Sequence, residues 1–257
     1  MKKRSMVICE GETDQIILSY YFEKQFGYRY EGELGKILNA NPQAELVRSY
    51  VRAKDGDKVV IWAIGGKSLF ADALKAVLEM NRSNADELYS KILILTDNDS
   101  EQEREQLWQK LKVRLQDFGI DAKISQEQWI DAEQKTAFDE SVHLKLLGIA
   151  VPPDEDGALE TFLLNALAEQ ENNRYLAKES KDFVKNLIAN KDKIKPYLSK
   201  RGLRVKAPLA VFFAIASPER IFAELNPMLQ LVQWEKYKEI QTGFKLLDEA
   251  FSYKDGV

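Results

Sequence analysis

Two residue types are nearly missing from this chain, and each scarcity excludes a class of chemistry. Cys9 is the only cysteine among 257 residues, so one chain can build neither a disulfide framework nor a multi-cysteine zinc or iron–sulfur site. His143 is the only histidine, which removes multi-histidine metal sites and paired-histidine catalysis. No apolar run approaches the roughly 18 residues of a membrane span. The basic start, Met1 to Arg4, is followed only by Met6 to Cys9 as an apolar stretch before Glu10. A secretory signal needs an apolar core of about 7–15 residues, so no membrane association and a cytoplasmic location are expected. An excess of positive charge is also lacking: 37 Lys and Arg stand against 41 Asp and Glu, a net charge of −4. Carboxylate oxygen is what remains plentiful, so any bound metal should be a hard cation, Mg²⁺ or Mn²⁺.

The apolar fraction of 45% and charged fraction of 30% suit a folded chain with a substantial core. Short apolar runs at Met6–Cys9, Lys58–Ile64 and Lys91–Thr96 read as buried strands, each followed by a helical pattern: from Thr13 or Asp14 to Gly27, from Ser68 to about Met80, and from Glu101 to Asp117. A further strand is expected over Leu144–Val151. Residues 28–57 are ambiguous, with a helix over Ala44–Arg52 as one option. Buried strands alternating with amphipathic helices predict an α/β fold with a parallel sheet flanked by helices. After Pro153 the pattern is almost wholly helical, which predicts an α/β domain over residues 1–153 and a helical C-terminal region over 154–257.

In such sheets, binding groups gather beyond the carboxyl ends of the strands. The first strand ends at Glu10-Gly11, the second at Gly65-Gly66-Lys67-Ser68 and the third at Asp97-Asn98-Asp99. Glu10 reads either as a loop acid near a helix N-terminus or as a functional carboxylate. Ser100-Glu101-Gln102-Glu103 supplies a capping box for the third helix, which leaves Asp97 and Asp99 without an evident structural task. Two carboxylates so close repel unless a cation neutralises them. Gly65, Gly66 and Lys67 form either a tight turn or an anion-binding turn with a helix N-terminus behind it. It is not a Walker motif, whose first glycine would fall at Ile61.

The order strand–Glu-Gly–helix, strand–Gly-Gly–helix, strand–Asp-x-Asp–helix resembles the Toprim domain of topoisomerases, bacterial primases and OLD-family nucleases, over residues 5 to about 120. The resemblance implies a Mg²⁺- or Mn²⁺-dependent phosphoryl-transfer site with Glu10, Asp97 and Asp99 as its acids, Glu10 either holding metal or acting as general base. Ile149-Ala150-Val151-Pro152 and Gly157-Ala158-Leu159-Glu160 look like a segment of small bacterial Toprim-like proteins related to the OLD nucleases, which implies Glu160 as a further metal-site carboxylate. The alternative for Glu160 is a first-turn helix acid. The chain lacks the cysteine modules of primases and the length of topoisomerases, so a nuclease is the activity the resemblance favours. With no Walker motif, an ATPase would have to be a partner in trans, as in anti-phage defence systems. The rival expectation is a non-catalytic regulatory subunit that binds metal or nucleotide beside such an ATPase.

The net charge conceals a strong asymmetry. Arg174 to Lys206 holds eleven Lys or Arg against Glu179, Asp182 and Asp192, a local net of +8, so the other residues sum to −12. Lys178, Lys181, Lys185, Lys200, Arg201 and Arg204 are thus candidates for contact with a DNA or RNA backbone, with solvated helix faces as the plainer alternative. His143 and Cys9 read as structural residues.

Overall fold

The computed structural model describes residues 3–83, 88–124, 128–218, 229 and 232–251. The chain divides into two units. The first comprises residues 1–96, 100–150 and 246–257, and the second residues 97–99 and 151–245. The expected division at 153 did not include the assignment of Asp97–Asp99 to the second unit or of Leu246–Phe251 to the first.

The first unit is built on a seven-stranded sheet of order β2-β3-β4-β1-β5-β7-β6. The strands are β1 (Arg4–Cys9), β2 (Tyr28–Glu33), β3 (Leu46–Arg52), β4 (Lys58–Ala63), β5 (Tyr89–Asp97), β6 (Ile130–Lys135) and β7 (Ser141–Val151). β1 lies between β4 and β5 and runs parallel to both. The β2–β3, β3–β4 and β6–β7 pairs are antiparallel. The α/β class is therefore as expected, with a parallel centre and antiparallel flanks. Ala44–Arg52 is not a helix. In Leu46–Arg52 buried and half-buried residues largely alternate, and pairing on both sides makes it a strand.

Period-two alternation splits the central strands between two faces. Met6, Ile8, Val60, Trp62, Ile92 and Ile94 pack with Phe70, Leu74, Val77 and Leu78 of α2 (Phe70–Ser83) and with Leu107, Trp108, Leu111 and Leu115 of α3 (Glu101–Gln116). The intervening residues, including Val7, Ile61 and Leu93, are also fully buried, and α1 (Glu12–Phe26) packs against β4. Burial on both faces is why these strands read as unbroken apolar runs. α1 starts where Gly11 N–H donates to Asp14 Oδ2 (2.8 Å) and ends at Gly27 in the left-handed conformation, φ 72°. Ser100 caps α3 by accepting from Glu103 N–H at 3.2 Å, as its sequence predicts.

The second unit holds α4 (Leu159–Ala168), α5 (Glu171–Ala189), α6 (Lys191–Ile194), α7 (Arg201–Ala216) and α8 (Lys238–Gly243). Its core joins Phe162, Leu163 and Leu167 of α4, Ala177 and Val184 of α5, and Leu209, Phe212 and Phe213 of α7, all buried. Phe244 meets Phe162 edge-on at 5.6 Å. No helix among the described residues is long and apolar enough to cross a membrane.

The terminal helix, α9 (Lys245–Phe251), is fastened to the first unit at its C-terminal end. Arg52 Nη1 donates to the Phe251 carbonyl and Lys91 Nζ to the Ala250 carbonyl, where cations suit the negative end of the helix dipole. The Phe251 ring packs on Phe22 at 4.9 Å and beneath Lys91 Nζ at 4.9 Å. Burial, with Lys3 adding repulsion, pushes the Lys91 ammonium down to about 8. The unfolded lysine titrates near its ordinary 10.5, so between these values the unfolded chain binds more protons and stability rises with pH. Below about 8 the cost of burying the charge is present in full. Wild type should therefore gain denaturation midpoint relative to Lys91→Met between pH 7.5 and 9.5. Parallel midpoints for the two proteins in urea would contradict it.

Candidate functional site

Within the first unit, the carboxyl ends of the three parallel strands stand in register. Cys9 pairs with Ala63 on one side and with Leu95 on the other. Glu10 follows β1 directly, and its backbone carbonyl accepts from both Gly65 N–H (3.0 Å) and Gly66 N–H (3.1 Å). The glycines clamp the backbone of Glu10, and the two N–H groups on which the phosphate-binding expectation for Gly65 and Gly66 rested are committed to protein. Their identity has a backbone cause: φ is 82° at Gly65 and 147° at Gly66, and a Cβ on Gly65 would lie 3.1 Å from that of Ala44. Lys67 Nζ stands 3.8 Å from Glu103. With Ser68 and Lys110 these residues line a cavity of about 210 Å³.

Glu10 Oε2 is shielded from solvent. Burial, reinforced by the charges of Asp14 and Glu10, pushes the Cys9 thiol well above its ordinary range. Its Sγ donates to the Trp62 carbonyl at 3.5 Å, so Cys9 is an inert core residue, as read from sequence.

In the second unit the other candidate acids have protein partners. Asp97 Oδ1 accepts from Leu159 N–H at 3.0 Å, capping the first residue of α4. Asp99 is ion-paired with Arg201, whose Nη2 also donates to the Asp99 carbonyl at 2.9 Å. Glu160, with a side chain 7% exposed, is bound by Lys206 Nζ at 3.0 Å. The expectation that Asp97 and Asp99 lack a structural task is thus corrected: one caps a helix whose residues lie more than sixty positions away, and the other anchors the start of α7. Among the described residues, no group of three or more His, Cys, Asp or Glu side chains gathers as metal ligands. The donor chemistry nonetheless suits a hard cation. Asp99 and Glu160 are each neutralised by a protein cation, the Arg201 guanidinium and the Lys206 ammonium.

Two residues passed over in sequence organise these segments. Asn98 holds the 152–157 turn: its Nδ2 donates to the Pro152 carbonyl (2.9 Å) and the Glu155 carbonyl (3.1 Å), and its own carbonyl accepts from Gly157 N–H (2.7 Å). Its place between the two aspartates was the available signal. Glu45, fully buried, accepts from the backbone N–H groups of Ile37, Leu38 and Asn39 and from Trp62 Nε1 at 2.8–3.1 Å. Burial pushes its carboxyl up, but these donors outweigh burial and the net shift is downward. A lone glutamate in an ambiguous stretch gave no local signal.

The basic candidates separate into two groups. Lys178, Lys181 and Lys185 on α5 and Lys200 at the start of α7 are exposed. Arg201 is engaged by Asp99, and Arg204 holds the Leu198 and Ser199 carbonyls at 2.7 and 3.2 Å. Both arginines therefore fasten the entry to α7 rather than standing clear for a phosphate backbone. His143 is an exposed β7 residue 3.4 Å from Glu133.

The class this architecture defines is an α/β protein with acids at the ends of its parallel strands and a helical unit in which one segment, Arg174 to Lys206, is strongly basic. The chain belongs to the family described as protein of unknown function (DUF3226), whose model matches residues 4–238. It is similar to the hypothetical protein PH0156 from Pyrococcus horikoshii OT3, known from a crystal structure, with 18% identity over 89% of this chain and 98% of that one and a TM-score of 0.45. No curated protein matches it.

Proposed function

We propose that this chain is a divalent-metal-dependent phosphodiesterase acting on DNA or RNA, with a Toprim-like arrangement in which Glu10, Asp97, Asp99 and Glu160 are the functional acids. The observation that supports the reading lies in the first unit: β1 runs parallel between β4 and β5 with Cys9 paired to Ala63 and Leu95, Glu10 follows β1 directly, and the Gly65-Gly66 turn after β4 holds Glu10 through its carbonyl. Mg²⁺ or Mn²⁺ held by these carboxylates would supply charge neutralisation at phosphate oxygens and a lowered water pKa. The residues themselves do the rest. The carboxylates orient hard ligands, and Glu10 either holds metal or takes the proton of the attacking water. Arg201 and Lys206 balance Asp99 and Glu160 when no metal is present, and the exposed lysines of α5 hold the phosphate backbone.

In this reading any nucleotide-driven step falls to a separate ATPase partner, in a cytoplasmic defence module against phage. A second reading has its own observation. Because Asp97, Asp99 and Glu160 are each engaged by protein groups, the chain would then be a regulatory subunit that binds metal or nucleotide without cleaving. Purified protein incubated with plasmid, single-stranded DNA and tRNA, with Mn²⁺ or with EDTA, separates the two. Metal-dependent cleavage is expected. Calorimetric Mn²⁺ binding without cleavage of any substrate would favour the subunit.

A further inference from the structure

Helix α5 carries a feature that packing does not require. Arg174, Lys178, Lys181 and Lys185 are all exposed and recur at intervals of four, three and four. At about 100° per residue this confines them to roughly 60° of the helix circumference. The packed residues of the same helix, Ala177, Ser180 and Val184, are turned about 90° from that stripe. Within the stripe, Lys178 Nζ lies 3.7 Å from Asp182 and Lys181 donates to Asn165 at 2.8 Å.

Aromatic rings accompany the charge. Tyr175, turned about 90° from the middle of the stripe on the side opposite the packed residues, is 72% exposed. Tyr197, between Lys195 and Lys200 on the approach to α7, is 75% exposed. A cavity of about 260 Å³ near the end of α5 has Ile188, Ile194 and Leu198 as apolar walls and Asp192, Lys195 and Arg204 as its polar lining.

Charge complementarity identifies a polyanion, and the rings identify which kind. In a duplex the base faces are stacked on one another and offer nothing to an exposed tyrosine. A single strand presents phosphates and open base faces together, which a cationic track with aromatic platforms fits. We infer that α5 and the 190–200 segment bind single-stranded nucleic acid, the α5 cations tracking phosphates while Tyr175 and Tyr197 stack on bases. The inference rests on the nucleic-acid reading above and names the form of its substrate.

The test is fluorescence anisotropy of the full chain in EDTA, with a labelled oligothymidylate and a duplex of equal length. The single strand should bind at least ~10-fold more tightly at matched salt. Each single-strand phosphate contact contributes about 0.7 to the log–log salt slope, so combining Lys178→Gln, Lys181→Gln and Lys185→Gln should flatten it by about 2. Tyr175→Ala and Tyr197→Ala should each weaken single-strand binding by ~5-fold or more, with Tyr175→Phe retaining affinity and thermal melts confirming folding. Duplex binding as tight as single-strand binding, unchanged affinity in both tyrosine variants, or binding to phosphatidylglycerol vesicles without oligonucleotide binding would overturn the inference. Because EDTA removes metal-dependent cleavage, single-strand binding without cleavage in Mn²⁺ would overturn only the hydrolase reading. Cleavage without single-strand preference would overturn only the present one.

Discussion

Asp97→Asn is expected to abolish Mn²⁺-dependent cleavage while leaving the fold intact. The asparagine side chain keeps an oxygen that can accept the Leu159 N–H, the 3.0 Å bond by which Asp97 caps α4, but it removes the charge a hard cation requires. Cleavage should fall at least ~100-fold, since even the outer partners of metal ligands are worth about 10–100-fold. Asp97→Ala should lose the cap as well, at about 1 kcal/mol of stability. The pair of variants separates the two roles of one residue. If Asp97→Asn cleaves like wild type and Asp97→Ala is merely less stable, Asp97 is a helix cap and the hydrolase reading loses its central acid. Asp99→Asn serves as a companion, because it keeps an acceptor for Arg201 while halving the negative charge of the Asp97–Asp99 pair.

The largest stability effect is expected at Glu45. Glu45→Ala strands three backbone N–H groups and the Trp62 indole N–H. At ~1–3 kcal/mol per unsatisfied buried donor, reduced because the 34–41 loop can partly rehydrate, the cost is about 2–4 kcal/mol. The melting temperature should fall by roughly 5–15 °C. Glu45→Gln keeps one acceptor and should cost less. The pH dependence follows from the direction of the shift. The folded carboxyl titrates below its ordinary 4.5, so its stabilisation is present above that value and is lost as pH falls through the lowered folded pKa. Acid denaturation of Glu45→Gln should therefore be shallower than that of wild type. Equal melting temperatures for wild type and Glu45→Ala would show that the 34–41 loop does not depend on this carboxylate.

The legible parts of the fold were those whose burial is complete. Met6–Cys9, Lys58–Ile64 and Lys91–Thr96 read as strands because both faces are covered, which leaves no polar alternation to confuse the pattern. The flanking strands were missed for the converse reason. Tyr28–Glu33 is largely exposed and Ile130–Lys135 is exposed at every second residue, and both carry charged residues, so their strand character comes from pairing with β3 and β7 rather than from their own composition. Of the candidate acids, positions at strand ends were legible, and the partners they take were not.

The α/β class, the parallel centre, the caps at Gly27 and Ser100, and the exclusion of multi-cysteine and multi-histidine metal sites within one chain were all legible in the sequence. These are properties of composition or of windows a few residues wide, where local sterics and hydrophobic periodicity act. Which charges find one another is set by tertiary packing. Arg201 is spent on Asp99 across 102 residues, Lys206 on Glu160, and Glu45 on a loop and an indole. Such pairs depend on where the packed chain brings distant side chains together, and no local pattern encodes that distance. The same packing left the α5 lysines and Tyr175 in solvent, which turned a count of charges into a surface.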